Sequence, residues 1–124
     1  MGGSDEDHTP QRFFRGFPQG LAVFTAVRAA VEEVGDCDLR VTTSQIAFRR
    51  RRGFAYVWRP GQYVTSEIPA VLSIALPREV SSDRFKSVAH PSPQVWMHHL
   101  ELSDSSQIDD EVRSWLAEAY EKAG

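Results

Sequence analysis

The feature that most constrains this chain is a change of hydrophobic period, from helical to two and back to helical. Leu21, Phe24, Val27, Val31 and Val34 recur at spacings of three and four, which draws one apolar stripe along a helix. Pro18 suits the first turn of that helix, where its missing N–H costs nothing, and Gly35 ends it. From there the alternation is strict. Leu39 and Val41 alternate with Arg40 and Thr42, and Ile46 and Phe48 with Ala47 and Arg49. Phe54, Tyr56 and Trp58 alternate with Ala55, Val57 and Arg59 until Pro60-Gly61 stops the run. Leu72, Ile74 and Leu76 make another strand, Arg84 to Ala89 a weaker one, and Val95 to Leu102 the last. The helical spacing then returns in Ile108, Val112, Trp115, Leu116 and Ala119, with Ser106 as the expected N-cap. Short connections favour hairpins. The expected fold is α+β: an antiparallel sheet of about five or six strands flanked by an N-terminal and a C-terminal helix, both on one side.

At 124 residues the chain is the length of one domain, expected over residues 11–124 behind a polar tail over residues 1–10. The most apolar stretch, Leu21 to Val34, contains Arg28, Glu32 and Glu33, which excludes it as a membrane span. An acidic N-terminus is the opposite of a secretory leader, so the expected address is cytoplasmic. Cys37 is the only cysteine, which rules out an intramolecular disulfide and a thiolate metal cluster. Its neighbours Asp36 and Asp38 would raise its pKa and suppress nucleophilicity.

The net charge of −3 conceals a segregation of sign. Arg40 to Ser66 holds six arginines and no acid, whereas Glu101 to Gly124 holds seven acids against Arg113 and Lys122. Such a layout steers an anionic ligand to the middle of the chain, unless the acidic helix simply pairs with the basic strands. The Arg49, Arg50, Arg51, Arg52 run ends at Gly53 and is expected at a hairpin tip. Guanidinium groups there match phosphate geometry, and the bland alternative is a solvated loop or one paired with the acidic helix.

Tyr56 and Trp58 share a strand face and, interleaved with arginines, could stack bases; an aromatic strand facing a helix would instead be ordinary core. His98 and His99 are adjacent in a strand, point to opposite faces, and so cannot chelate one ion together. His98 shares its face with Trp96, Leu100 and Leu102 and is the expected buried histidine. His99 shares the other with Glu101 and is the candidate for ligand contact. His90, before Pro91, is expected in a loop. No metal site or cofactor is expected, because no ligand spacing or glycine-rich phosphate loop is present.

The stretches Thr42-Thr43-Ser44-Gln45-Ile46-Ala47-Phe48, Phe54-Ala55-Tyr56-Val57-Trp58, Trp96-Met97-His98-His99-Leu100-Glu101-Leu102 and Val112 to Tyr120 resemble the DUF5655 family of uncharacterised domains. The resemblance spans roughly Phe13 to Ala123. It implies no reaction, and through relatives fused to restriction-type nuclease modules it implies a nucleic-acid context. The expected function is a non-catalytic binding domain that takes an anionic ligand, nucleic acid or a nucleotide among them, on Arg49 to Arg52, Tyr56, Trp58 and His99. The alternatives are a protein-interaction module and a small enzyme using a strand histidine.

Overall fold

The computed structural model describes residues 8–124. The first seven residues of the expected tail lie outside the described residues. Thr9 accepts a hydrogen bond from the Arg12 N–H and so caps a short helix α1 (Pro10–Phe13). Helix α2 (Pro18–Val34) follows, with Pro18 in its first turn. Phe14 packs beside it because residue 20 is glycine: a Cβ there would stand 2.6 Å from the Phe14 ring.

Six strands come next: β1 (Asp38–Val41), β2 (Ile46–Arg49), β3 (Gly53–Trp58), β4 (Ala70–Leu76), β5 (Ser87–Ser92) and β6 (Val95–Leu102). They pair antiparallel throughout in the order β1-β2-β3-β4-β6-β5. Helix α3 (Asp110–Lys122) closes the chain, its first N–H groups facing the Asp109 carboxylate, which accepts from Val112 N–H. The expected start at Ser106 is thus displaced. Asp104 and Gln107 form a reciprocal capping box around a separate 3-10 turn, Ser105–Gln107, and Asp109 then starts the α-helix afresh. None of the helices is long and apolar enough to cross a membrane, among the described residues.

Both long helices cover the same side of the sheet. Ile46, Phe48, Val57, Leu72, Ile74, Leu100 and Leu102 form the covered face, closed by Phe24, Val27 and Val31 of α2 and by Val112, Trp115 and Leu116 of α3. His98 lies on that face and is fully buried, as the alternation of β6 requires.

Two strand expectations change. The weak strand expected over residues 84–89 is shifted to Ser87–Ser92, and His90 lies within it, stacked 3.9 Å from the Trp96 ring, rather than in a loop. Residues 77–86 instead form a strap held to α3 by ion pairs. Arg78 grips Glu118 through two hydrogen bonds of 3.0 and 2.9 Å, and Arg84 donates to Asp109, Glu111 and the Gln107 carbonyl. The strap lays Phe85 between His98 and Trp115, at ring separations of 4.8 and 4.6 Å.

The second change is a β-bulge. Phe48 opposes Ala55, but Arg49 opposes Gly53, which leaves Phe54 as an extra residue. The bulge turns Phe54 into the core, 5.6 Å from the Tyr120 ring, so it does not share a face with Tyr56 and Trp58 as alternation alone implies.

Candidate functional site

Among the described residues, no helix covers the opposite face of the sheet. Register places Arg40, Ala47, Tyr56, Ser73, His99 and Ser87 in one cross-strand row on that face. The next row in one direction is Trp58, Val71 and Glu101, and in the other Ala75, Met97 and Ala89. The central strand β4 therefore contributes only small side chains, Val71, Ser73 and Ala75. The larger ones stand on its neighbours, with Tyr56 and Trp58 on β3 and Met97 and His99 on β6. Small residues between tall ones make a trough along β4.

One end of this trough, about 630 Å³, is lined by Ser44, Gln45, Tyr56, Trp58, Tyr63, Ser73, Met97 and His99. Tyr63 enters from the loop after the 3-10 turn Pro60–Gln62, is 59% exposed, and meets Trp58 edge-on at 6.0 Å. The other end, about 620 Å³, shares Tyr56 and Met97 and continues to Arg49, Arg52 and Lys122. Trp58 and Gly53 are five residues apart on β3, so the aromatic and cationic ends are separated by roughly 17 Å of strand. The reading of Tyr56 and Trp58 as core beneath a helix is corrected, because both face away from the helices.

The polar centre of the trough is a three-residue chain. Trp58 Nε1–H donates to Ser73 Oγ at 2.9 Å, and Ser73 Oγ lies 2.7 Å from His99 Nδ1. Ser73 is 3% exposed. Burial pushes the His99 pKa below its ordinary value, with a smaller contribution from the positive form of neighbouring His98. His99 is thus neutral at physiological pH. On the covered face His98 Nδ1–H donates to the Trp96 carbonyl, and His98 Nε2 accepts from Val80 N–H, each at 2.9 Å. Both its ring nitrogens are committed to structure.

The arginine run does sit at the β2–β3 hairpin tip, but its four side chains are not equivalent. The tip folds onto the end of α3, where unsatisfied carbonyls and the negative end of the helix dipole attract cations. Arg50 Nη1 donates to the Tyr120 carbonyl at 2.9 Å, with its guanidinium 4.0 Å above the Tyr120 ring. Arg52 Nη2 donates to the Lys122 carbonyl at 2.8 Å, and the backbone N–H groups of Arg51 and Arg52 donate to the Ala123 carbonyl. Arg50, Arg51 and Arg52 are exposed, as expected of a hairpin tip, and Arg50 and Arg52 are in addition tethered to the end of α3. Arg49, which lines the trough, has no ion-pair or hydrogen-bond partner for its guanidinium among the described residues. The expected pairing of the acidic helix with the basic strands is corrected: the α3 carboxylates Glu111 and Glu118, with the N-cap Asp109, engage Arg84 and Arg78 of the strap, and among the described residues none of them pairs with an arginine between Arg40 and Arg59.

Ser73, Tyr63 and Met97 are trough residues that sequence reading passed over. For Ser73 the signal was present: Val71, Ser73 and Ala75 are the small, opposite phase of the Leu72, Ile74, Leu76 strand. Tyr63 lies in a loop and had no periodic signal. Cys37 is half-buried, and burial and then Asp38 raise its pKa, in keeping with an unreactive turn residue. No cluster of three or more His, Cys, Asp or Glu suited to a metal ion occurs among the described residues.

A family model described as Domain of unknown function (DUF5655) matches residues 12–123. No curated protein and no solved structure matches the chain.

Proposed function

The chain belongs to the DUF5655 family, whose description assigns no activity, and from its open sheet face we propose that it is a binding domain for single-stranded nucleic acid or a nucleotide. One observation carries this reading: three aromatic rings and a neutral histidine surround a floor of small residues in a trough whose far end holds an arginine with no partner among the described residues. Tyr56, Trp58 and Tyr63 offer faces and edges to planar bases, a sequence-tolerant contact of about 1–3 kcal/mol per base. Arg49 supplies planar donors for phosphate, and exposed Arg51 and Arg40 add positive potential around it. Roughly 17 Å of trough accommodates more than one nucleotide, which favours an oligomer over a mononucleotide.

Fluorescence titration with single-stranded oligonucleotides at low and at physiological salt tests the proposal. Binding that weakens steeply with salt, and that Trp58→Ala and Arg49→Ala each reduce, supports it. No binding even at low salt, where phosphate contacts are strongest, rejects it. A protein-docking surface is the second reading, favoured by exposed Phe17, Tyr63 and Val64 at one corner of the domain. That face would bind with little salt dependence.

A further inference from the structure

We propose that the Trp58–Ser73–His99 chain holds His99 as a single neutral tautomer whose Nε2–H is a fixed donor in the trough, making His99 the specificity-determining contact for a ring carbonyl oxygen of the ligand. This rests on the binding function proposed above. The argument is a count of protons. Trp58 Nε1 can only donate, so Ser73 Oγ must accept from it at 2.9 Å. The Ser73 hydroxyl then has one proton of its own to place. The hydroxyl is buried, and its only other partner among the described residues is His99 Nδ1, at 2.7 Å. If Nδ1 carried a proton it would donate to Ser73 as well, and the hydroxyl proton would be left buried without an acceptor. The satisfied arrangement runs one way: Trp58 donates to Ser73, Ser73 donates to Nδ1, and the ring proton resides on Nε2.

The direction of the chain decides what the trough can read. Nε2–H has no acceptor among the described residues, and His99 lines the trough beside Trp58, whose ring meets it edge-on at 6.3 Å. A neutral donor set among aromatic rings suits a neutral acceptor lying in the plane of a stacked ring, which is a ring carbonyl of a base. Phosphate is better matched by Arg49 at the other end, where donor and ligand are both charged. His99 depends on Ser73, which need not touch the ligand and is accordingly a positioning residue, and through it on Trp58, which also stacks on the ligand.

Two measurements test the inference. The first uses the ligand-free protein: long-range proton–nitrogen NMR at neutral pH should show His99 protonated on Nε2 with Nδ1 bare. Ser73→Ala should convert it to a mixture of tautomers. Protonation on Nδ1 in the wild type would overturn the proposal. The second uses a thymidine hexamer. His99→Leu should weaken binding about tenfold, as expected for one lost hydrogen bond. His99→Gln, whose amide nitrogen reaches the position of Nε2, should bind within about threefold of wild type, whereas His99→Asn, which mimics Nδ1, should not recover it. Equal affinity of His99→Leu and wild type would overturn the proposal. A wild type that ignores the hexamer while NMR still finds the Nε2–H tautomer would reject the nucleic-acid reading and uphold the fixed donor.

Discussion

Replacing each of the adjacent histidines of β6 by alanine should give opposite outcomes, because the sheet gives them opposite environments. His98 is fully buried, and its ring contacts Phe85 at 4.8 Å. Truncating it removes a buried ring, at a cost of about 2 kcal/mol for a side chain smaller than phenylalanine. It also orphans the Val80 N–H and the Trp96 carbonyl. Val80 is only partly buried and can recover some hydration, so this adds about 1–2 kcal/mol. The total for His98→Ala is about 3–4 kcal/mol, or a melting temperature lowered by roughly 12–16 °C at about 4 °C per kcal/mol. His99→Ala removes one hydrogen bond to Ser73 and opens no core cavity, so it should cost about 1 kcal/mol, or roughly 4 °C. Thermal melts followed by circular dichroism, with urea titrations to check that both variants unfold in two states, make the comparison. If His99→Ala proves the less stable of the pair, the assignment of faces is inverted and the trough cannot be the binding face.

Trp115→Ala should cost about 3–5 kcal/mol in urea unfolding, because this nearly buried ring packs against Phe85 and anchors both α3 and the strap. Acid should destabilise the domain from about pH 6.5 downward. Burial lowers the folded-state pKa of His98 and of His99, so the unfolded chain takes up protons first; stability is complete above the unfolded value, falls as pH drops below it, and levels off beneath the folded values. His98→Ala should flatten much of that slope in melts run from pH 8 to pH 5. Arg50→Ala should lower stability by about 1 kcal/mol while leaving oligonucleotide affinity close to wild type, since its guanidinium caps α3 and stacks on Tyr120. Arg49→Ala should do the reverse, weakening binding and reducing the salt slope by about one, and equal effects of the two on affinity would show that the tip acts as one cluster.

Local rules carried the reading of this chain a long way. Spacings of three and four placed α2 and α3, and alternation placed the strands and put His98 inside and His99 outside, because side-chain direction in a strand depends only on parity. Parity failed at Phe54, where the bulge beside the arginine hairpin inserts one residue, and nothing local to Phe54 marks a ladder slip that depends on how two strands meet. The sequence by itself determined the α+β class, the antiparallel pairing and, Phe54 apart, which residues share a face. Only the tertiary structure decided which face the helices cover away from β6, and hence that Tyr56 and Trp58 line a trough rather than a core. It alone decided, too, that Arg50 and Arg52 serve the end of α3, that the acids of α3 are occupied by Arg78 and Arg84, and that Trp58, Ser73 and His99 form one chain. These facts join residues up to about seventy positions apart, and periodicity, which records only a residue's phase within its own element, contains no term for which elements meet.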